Sequence, residues 1–129
     1  MVRFLTFWPG AGLVLLTLSA AMATPAVAGD PGKGRAVFAS QCGICHANTR
    51  DTVILGPPLY GVMGRKAGSI AGFAYSSTMR TAGFTWTADR LRAYLPAPRD
   101  YLPGVRMTYA GLKNPSQLDD LIAYLSTLK

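Results

Sequence analysis

The two cysteines and the single histidine of this chain all stand within the five residues of "CGICH". Cys42 and Cys45 are separated by two residues, and His46 follows directly. A C-x-x-C-H run is typical of covalent haem attachment, in which two thiols form thioether bonds with the vinyl groups of the porphyrin. Both vinyl groups lie on one edge of the ring, so two intervening residues let both sulfur atoms reach them. The next side chain then turns beneath the iron. We therefore predict that Cys42 and Cys45 tether one haem c and that His46 is an axial ligand of its iron.

Three other chemistries use the same residue types. A thiol–disulfide protein of the thioredoxin kind places its CxxC pair in a βαβ unit, and no such pattern is visible here. A zinc site would need Asp51 or water as its fourth ligand, because the chain has no further cysteine or histidine. A haem enzyme or gas sensor would leave one side of the iron open.

The second axial ligand is sought among the methionines, because there is no second histidine. The candidates after the N-terminal segment are Met63, Met79 and Met107. A single methionine more often fills a core than binds a metal. Met107 is favoured, because the Pro103-Gly104 turn before it can bend the backbone toward the iron.

The first 28 residues have the pattern of a secretory signal. Arg3 is followed by the apolar run "LVLLTLSAAMA", which is shorter than the ~20 residues of a membrane span. "AVA" at 26–28 fits the small-x-small cleavage rule, so residues 1–28 are predicted to be removed and 29–129 to form one domain. An uncleaved N-terminal anchor is the alternative. Export predicts a periplasmic location.

Charge and size limit the function classes. The formal net charge is +7, and residues 1–28 contain Arg3 and no acid, which leaves +6 on the mature chain. Such a balance suggests acidic protein partners or anionic surfaces. Nucleic acid is a poor candidate, because the basic residues are scattered and the chain is exported. A domain of this size gains from an added staple such as a cofactor.

The hydrophobic pattern indicates an all-α domain with three main helices. Asp30 and Asn114 each precede a proline and are predicted to cap the first and last helices. Thr87 is predicted to cap the helix of "WTADRLRAYL". "YSSTMRTAG" indicates a short helix that stops at Gly83, and Leu128 is placed on the apolar stripe of the last helix.

Two segments are predicted to be irregular. Residues 47–72 are rich in glycine and proline, and "RDYLPGVRMTYAGLK" lacks a periodic pattern. A long loop of this kind inside a small domain needs something to pack against, and a large flat haem would serve.

The whole mature chain, about residues 30–128, resembles the class I cytochromes c of the mitochondrial and bacterial cytochrome c2-like type. The likeness is carried by "CGICH", "GPPLYGVMGRKAGSIAGFAYS", "FTW", "YLPAPRDYLPGVRM" and "GLKNPSQLDDLIAYL" in that order. It implies a cytochrome c fold, in which three main helices, short helices and long loops wrap around one covalently attached haem. It also implies a monomeric, soluble electron carrier between a bc1-type donor and an oxidase or photosynthetic reaction centre, and not an enzyme. The alternative is a dedicated acceptor of one periplasmic dehydrogenase.

The resemblance assigns roles around the iron. Met107 matches the distal ligand, and the Pro57 carbonyl matches the acceptor that fixes the His46 ring. Tyr94 matches a tyrosine near the methionine sulfur. Three further residues match those that bind or shield the haem propionates: Arg65, Tyr75 and Trp86.

It also implies a close contact between the first and last helices and a basic docking surface. The helix contact would join Gly34 and Phe38 to Leu121 and Tyr124. The basic candidates for docking to acidic partners are Lys33, Lys66, Arg99, Arg106 and Lys113.

Five positions depart from the family pattern. Val105 replaces a hydroxyl residue, and Met79 replaces an asparagine near the haem. Asp100 and Gln41 stand where basic residues are common, so attraction to acidic partners is expected to be weaker than in the most basic relatives. Tyr109 stands where the relatives usually have phenylalanine.

Overall fold

The computed structural model describes residues 28–129, and the predicted signal segment lies outside this range apart from Ala28. The described part contains five helices: α1 Pro31–Gln41, α2 Ser77–Arg80, α3 Ala88–Tyr94, α4 Pro98–Tyr101 and α5 Pro115–Leu125. Between residues 28 and 129 there is no strand, and two isolated antiparallel bridges join His46 to Val53 and Lys66 to Thr85. The all-α prediction is confirmed. Within the same residues, no helix has the length and apolar character needed to cross a membrane.

The helix starts are where the sequence predicts them. The Asp30 carboxylate accepts the Gly32 amide at 2.8 Å, and the Asn114 side chain accepts the Ser116 amide at 3.0 Å. The Thr87 hydroxyl accepts the Arg90 amide at 3.2 Å. Each cap satisfies an amide that has no partner inside the first turn of its helix.

The main packing contact is the crossing of α1 and α5. Gly34 is buried there, and a Cβ at this position would come to 2.8 Å from the Tyr124 Cβ and closer still to the Asp120 carbonyl oxygen. The rings of Phe38 and Tyr124 meet with their centroids 5.5 Å apart. Leu121 and Ile122 on α5 are almost completely buried. The two ends of the described chain are therefore held together by one tight helix pair.

An ion pair joins helix α3 to helix α5. Arg92 Nε lies 3.1 Å from Asp119 on α5, and Arg92 Nη1 lies 3.1 Å from Asp89 one turn earlier. On the inner side, the rings of Trp86 and Tyr94 are in tilted contact, with centroids 4.9 Å apart and planes at 58°. These contacts fix the segment that carries Trp86 and Tyr94 against the rest of the core.

Three local predictions are corrected. Helix α2 ends at Arg80 and not at Gly83, because the Thr81 amide and hydroxyl both bond to the Ser77 carbonyl and close the turn. Residues 98–101 form α4, because Pro98 supplies a φ suited to a helix start. Helix α5 ends at Leu125, so Leu128 lies beyond it.

The long irregular segment is confirmed. Residues 42–76 contain turns and bends but no helix. The Gly61 amide bonds to the Leu128 carbonyl at 2.7 Å, and the Ala67 amide bonds to the Phe84 carbonyl at 2.9 Å. The segment is thus tied to distant parts of the chain by backbone hydrogen bonds.

Candidate haem site

The CGICH turn begins where α1 ends. The Cys42 amide donates to the Phe38 carbonyl at 2.8 Å and so completes the last turn of the helix. The Cys42 carbonyl then accepts the amides of Cys45 at 3.0 Å and His46 at 2.9 Å. This tight turn brings two half-buried, unpaired thiols and the imidazole onto one short stretch of backbone.

The Cys42 thiol lacks the lowered pKa of a redox-active cysteine. Burial, and secondarily the neighbouring Cys45, raises the pKa of Cys42 to about 11. A catalytic CxxC motif lowers the pKa of its attacking thiol. The environment of Cys42 is therefore suited to an apolar substituent on sulfur and unsuited to thiol–disulfide exchange.

The His46 ring is fixed by its Nδ1 atom, which lies 2.7 Å from the Pro57 carbonyl oxygen. Because a carbonyl can only accept, this contact places the proton on Nδ1 and leaves the lone pair of Nε2 free for a metal. Burial lowers the pKa of His46, and the Pro57 hydrogen bond opposes this to a lesser degree. The neutral imidazole that metal binding requires is thus favoured.

Gly56 packs against the ring of the candidate ligand His46, and the sequence interpretation missed this contact. A Cβ at this position would lie 2.6 Å from His46 Nδ1 and 2.9 Å from Nε2. The Gly56 amide also donates to the Cys45 carbonyl at 2.7 Å. In the sequence, only the place of Gly56 directly before Pro57 pointed to it. The lack of space beneath the His46 ring arises from the fold.

Among the candidate methionines, the structure gives only Met107 a polar contact near its sulfur within residues 28–129. The Tyr94 hydroxyl donates to Met107 Sδ at 3.9 Å. Burial raises the pKa of Tyr94 to about 12, so this hydroxyl keeps its proton at neutral pH. Met79 is buried in the hydrophobic core on α2, and Met63 packs against the same core. These surroundings favour Met107 as the ligand.

Hydrogen bonds hold each of the three residues expected near the propionates. Arg65 and Trp86 are joined by the Trp86 amide, which donates to the Arg65 carbonyl at 2.9 Å. The Arg65 guanidinium donates to the Tyr60 carbonyl at 3.1 Å. The Tyr75 hydroxyl accepts the Ile70 amide at 3.3 Å. Their contacts with propionates stay predictions.

The five basic docking candidates are all exposed: Lys33, Lys66, Arg99, Arg106 and Lys113. Arg106 donates to the Ala74 carbonyl at 3.1 Å, and Lys113 donates to the Pro96 carbonyl. Asp100 is exposed beside Arg99. Backbone carbonyls therefore orient the Arg106 and Lys113 side chains, while the charges of both stay at the surface.

Two departures from the family pattern meet in the structure. The Tyr109 hydroxyl donates to Gln41 Oε1 at 3.1 Å, across a sequence separation of 68 residues. Burial, and secondarily Cys42, raises the pKa of Tyr109. The sequence marks both residues as unusual, but their contact depends on tertiary packing.

The donor set fits a covalently held haem. It comprises two unpaired thiols, an imidazole with a free Nε2 and a thioether, bordered by the hydrophobic core. Within residues 28–129, no three side chains of His, Cys, Asp or Glu converge in a group able to hold a metal ion.

Comparison with known proteins gives a consistent result. The sequence profile named Cytochrome c matches residues 32–129. The chain is 40% identical over 101 residues to cytochrome c of Euglena viridis, covering 78% of this chain and 99% of that protein. It is 41% identical over 101 residues to cytochrome c2 of Rhodopila globiformis, with coverages of 78% and 95%.

A solved structure agrees with these relatives. The fold resembles that of cytochrome cH from Methylobacterium extorquens, with a TM-score of 0.70 and 38% sequence identity over 77% of this chain and 99% of that one. The chain therefore belongs to the cytochrome c family, whose members carry one covalently bound haem c and act as electron carriers rather than as enzymes.

Proposed function

We propose that residues 29–129 are a periplasmic electron carrier whose haem c is tethered at Cys42 and Cys45 and ligated by His46 and Met107. The similarity to a bacterial cytochrome c2 and to cytochrome cH supports the bacterial setting. The signal-like pattern of residues 1–28 supports export.

One observation carries the proposal: each candidate ligand is held by a hydrogen bond that leaves a metal-binding atom available. Pro57 holds His46 through Nδ1, and Tyr94 contacts Met107 at a sulfur that has a second lone pair. Hydrogen-bond partners of this kind orient metal ligands and tune their basicity.

When bound, haem supplies an iron that changes oxidation state by one electron, and Met/His ligation raises its reduction potential. The chain's residues hold the two ligands, exclude water and present basic side chains to partners. The core that borders the site includes Trp86 and Tyr94, both buried. Arg65, Tyr75 and Trp86 are assigned to the propionates.

The proposed partners are acidic redox proteins: a bc1-type complex as donor and an oxidase or reaction centre as acceptor. Attraction by the five basic docking residues makes the association rate fall as ionic strength rises. The alternative of one periplasmic dehydrogenase as sole donor uses the same site and stays a prediction.

The ligand assignment is tested by the visible spectrum of Met107→Ala. The oxidised wild-type protein is expected to show the weak far-red band of methionine ligation, and the variant is expected to lose it. The reduced variant should also bind carbon monoxide, which the wild type excludes. Met63→Ala and Met79→Leu are the matched controls and should keep the band. A band that survives in Met107→Ala would refute the assignment.

The domain boundary is tested by intact mass. Protein purified from the periplasm of a host that attaches haem should have the mass of residues 29–129 plus one haem. A mass that includes residues 1–28 would show an uncleaved anchor and remove the proposed boundary.

A further inference from the structure

Four large aliphatic side chains are exposed on two backbone segments, residues 44 and 53–55, that run beside each other. Ile44 is 77% exposed, Leu55 73%, Val53 53% and Ile54 48%. Single exposed aliphatic residues need no explanation, but a contiguous group on a small protein marks a contact surface. These four residues are called the aliphatic patch.

The backbone brings the members of the patch together. Val53 forms an antiparallel bridge with His46, and the Gly56 amide donates to the Cys45 carbonyl at 2.7 Å. The two segments therefore run side by side. Ile44 directly precedes Cys45, and Leu55 directly precedes Gly56. Both residues therefore flank the hydrogen bond between Cys45 and Gly56.

The position of the patch relates it to the proposed haem tether. Ile44 stands between Cys42 and Cys45, the two residues assigned to the thioether bonds. A protein seated on Ile44 would be separated from the porphyrin by only a few covalent bonds. This step rests on the proposed function.

A groove extends the patch on the side of α1. Its volume is about 420 Å³, Ile44 lies on its wall, and Phe38 and Tyr124 are among the residues that line it. The Tyr124 hydroxyl accepts the side-chain amide of Asn48 at 2.9 Å, which leaves the groove a polar wall. An apolar side chain of a partner would lie against Ile44 and Phe38, which form the apolar part of the groove.

One arginine lies on the wall of the groove, and a second stands three residues before Val53 in the sequence. Arg35 lies on the groove wall. Arg50 holds its guanidinium 4.7 Å from the centre of the Tyr60 ring and donates to the Tyr60 hydroxyl at 3.3 Å. Asp51 adds one exposed acid next to Arg50. The charge that complements two arginines on a chain of formal charge +7 is negative.

We propose that the aliphatic patch is the centre of the docking surface for a redox protein that presents an apolar contact with carboxylates at its edge. Burial of the patch holds the complex together, and it does so with little dependence on salt. Arg35 and Arg50 steer the approach of the partner. Docking is thus centred on residues 44 and 53–55, and the five basic docking residues have a secondary role.

The test uses a defined surface in place of the unidentified partner. Gold electrodes are coated with a monolayer that mixes methyl-ended and carboxylate-ended thiols, or with carboxylate-ended thiols alone. The patch variant is Ile44→Ser with Leu55→Ser, and the charge variant is Lys66→Gln with Arg99→Gln. All four positions are exposed, so both variants are expected to fold.

The expected results separate the two kinds of attraction. On the mixed monolayer in about 0.3 M salt, where charges are screened, the patch variant should exchange electrons about tenfold more slowly than wild type. The charge variant should stay close to wild type there, and it should be the slower one on the carboxylate monolayer at low salt. Equal rates for wild type and the patch variant on the mixed monolayer would overturn the proposal.

Further measurements separate weakened docking from a damaged haem site and from self-association. The patch variant must keep the wild-type reduction potential and the wild-type rate of reduction by ascorbate. A wild type with no redox wave on either electrode would instead overturn the electron-carrier proposal. Sedimentation that shows a wild-type dimer, lost in the patch variant, would assign the patch to a second copy of the chain and overturn the redox partner.

Discussion

Tyr109 joins the loop that carries Met107 to the last residue of α1. Its hydroxyl donates to Gln41 Oε1 at 3.1 Å, and Gln41 precedes Cys42 directly. The bond therefore connects the segment of the proposed distal ligand with the segment of the haem tether. A phenylalanine at position 109 would keep the ring and lose this connection.

Tyr109→Phe is expected to loosen the Met107 loop. A single hydrogen bond contributes about 0.5–1.5 kcal/mol, so release of Met107 should become roughly 2- to 12-fold easier. The measurement is the affinity of the oxidised protein for imidazole, which competes with the methionine. Affinity should rise by that factor.

A double-mutant cycle provides the control for this bond. Gln41→Leu should have the same effect as Tyr109→Phe, and the double variant should add little to either. Tyr60→Phe, which removes a hydroxyl bonded to Arg50, should leave imidazole affinity unchanged. Unchanged affinity in Tyr109→Phe would show that the bond does not restrain the loop.

Chemical identity at the site could be predicted from the sequence, but contacts between distant residues could not. The C-x-x-C-H spacing is local, so the prediction of covalent haem needed no fold, and family membership confirms the cofactor. The space beneath the His46 ring depends on how residues 46 and 56 fold back on each other. Gly56 therefore became visible only in the structure.

Helix α1 shows what local signals determine and what packing adds. Its start at Asp30 and Pro31 follows from capping chemistry and was predicted. Helix α4 was missed because four residues, 98–101, are too few to show a periodic pattern. Glycine is needed at position 34 because α5 crosses α1 there and leaves no room for a side chain.

Gly34→Ala is expected to destabilise the protein. The new methyl group would meet the Asp120 carbonyl oxygen and the Tyr124 side chain, so the helices must separate. Overpacking of this kind costs about 1–3 kcal/mol. A loss of 1 kcal/mol lowers Tm by roughly 4–8 °C in a domain of this size. Thermal unfolding followed by circular dichroism measures it.

Gly32→Ala is the matched control, because it makes the same change two residues earlier in α1. Gly32 is exposed, and its new Cβ would meet only the flexible Asp30 carboxylate at 3.1 Å. Its Tm should stay near that of wild type. Equal Tm values for the Gly34 and Gly32 variants would contradict the close-contact account of the α1–α5 crossing.

For the molecule as a whole, the helices alone do not account for a folded domain. Residues 42–76 lack helix and strand, although backbone hydrogen bonds tie them to the rest of the chain. The core cluster draws Val62 and Ala67 from this segment and the two most buried aliphatic residues, Leu121 and Ile122, from α5. A haem packed between these parts would supply the remaining contacts.

Removal of the cofactor is therefore expected to abolish cooperative unfolding. The variant Cys42→Ser with Cys45→Ser, purified without haem, should show weaker helical circular dichroism and a broad thermal transition. The haem-loaded wild type should unfold in one sharp step. Ile44→Ser, which changes the same turn and keeps both thiols, should behave like wild type. A sharp transition in the haem-free variant would show that the chain folds without its cofactor.

The α1–α5 crossing has a consequence for biosynthesis. Asp30 at the start of α1 donates its amide to Asp120 on α5 at 2.7 Å, across 90 residues of chain. The ribosome must synthesise nearly the whole polypeptide before this pairing can form, so the α1–α5 part of the core cannot close on a growing chain. Until residue 120 has been made, α1 and the Cys42–His46 turn that follows it have no α5 to pack against.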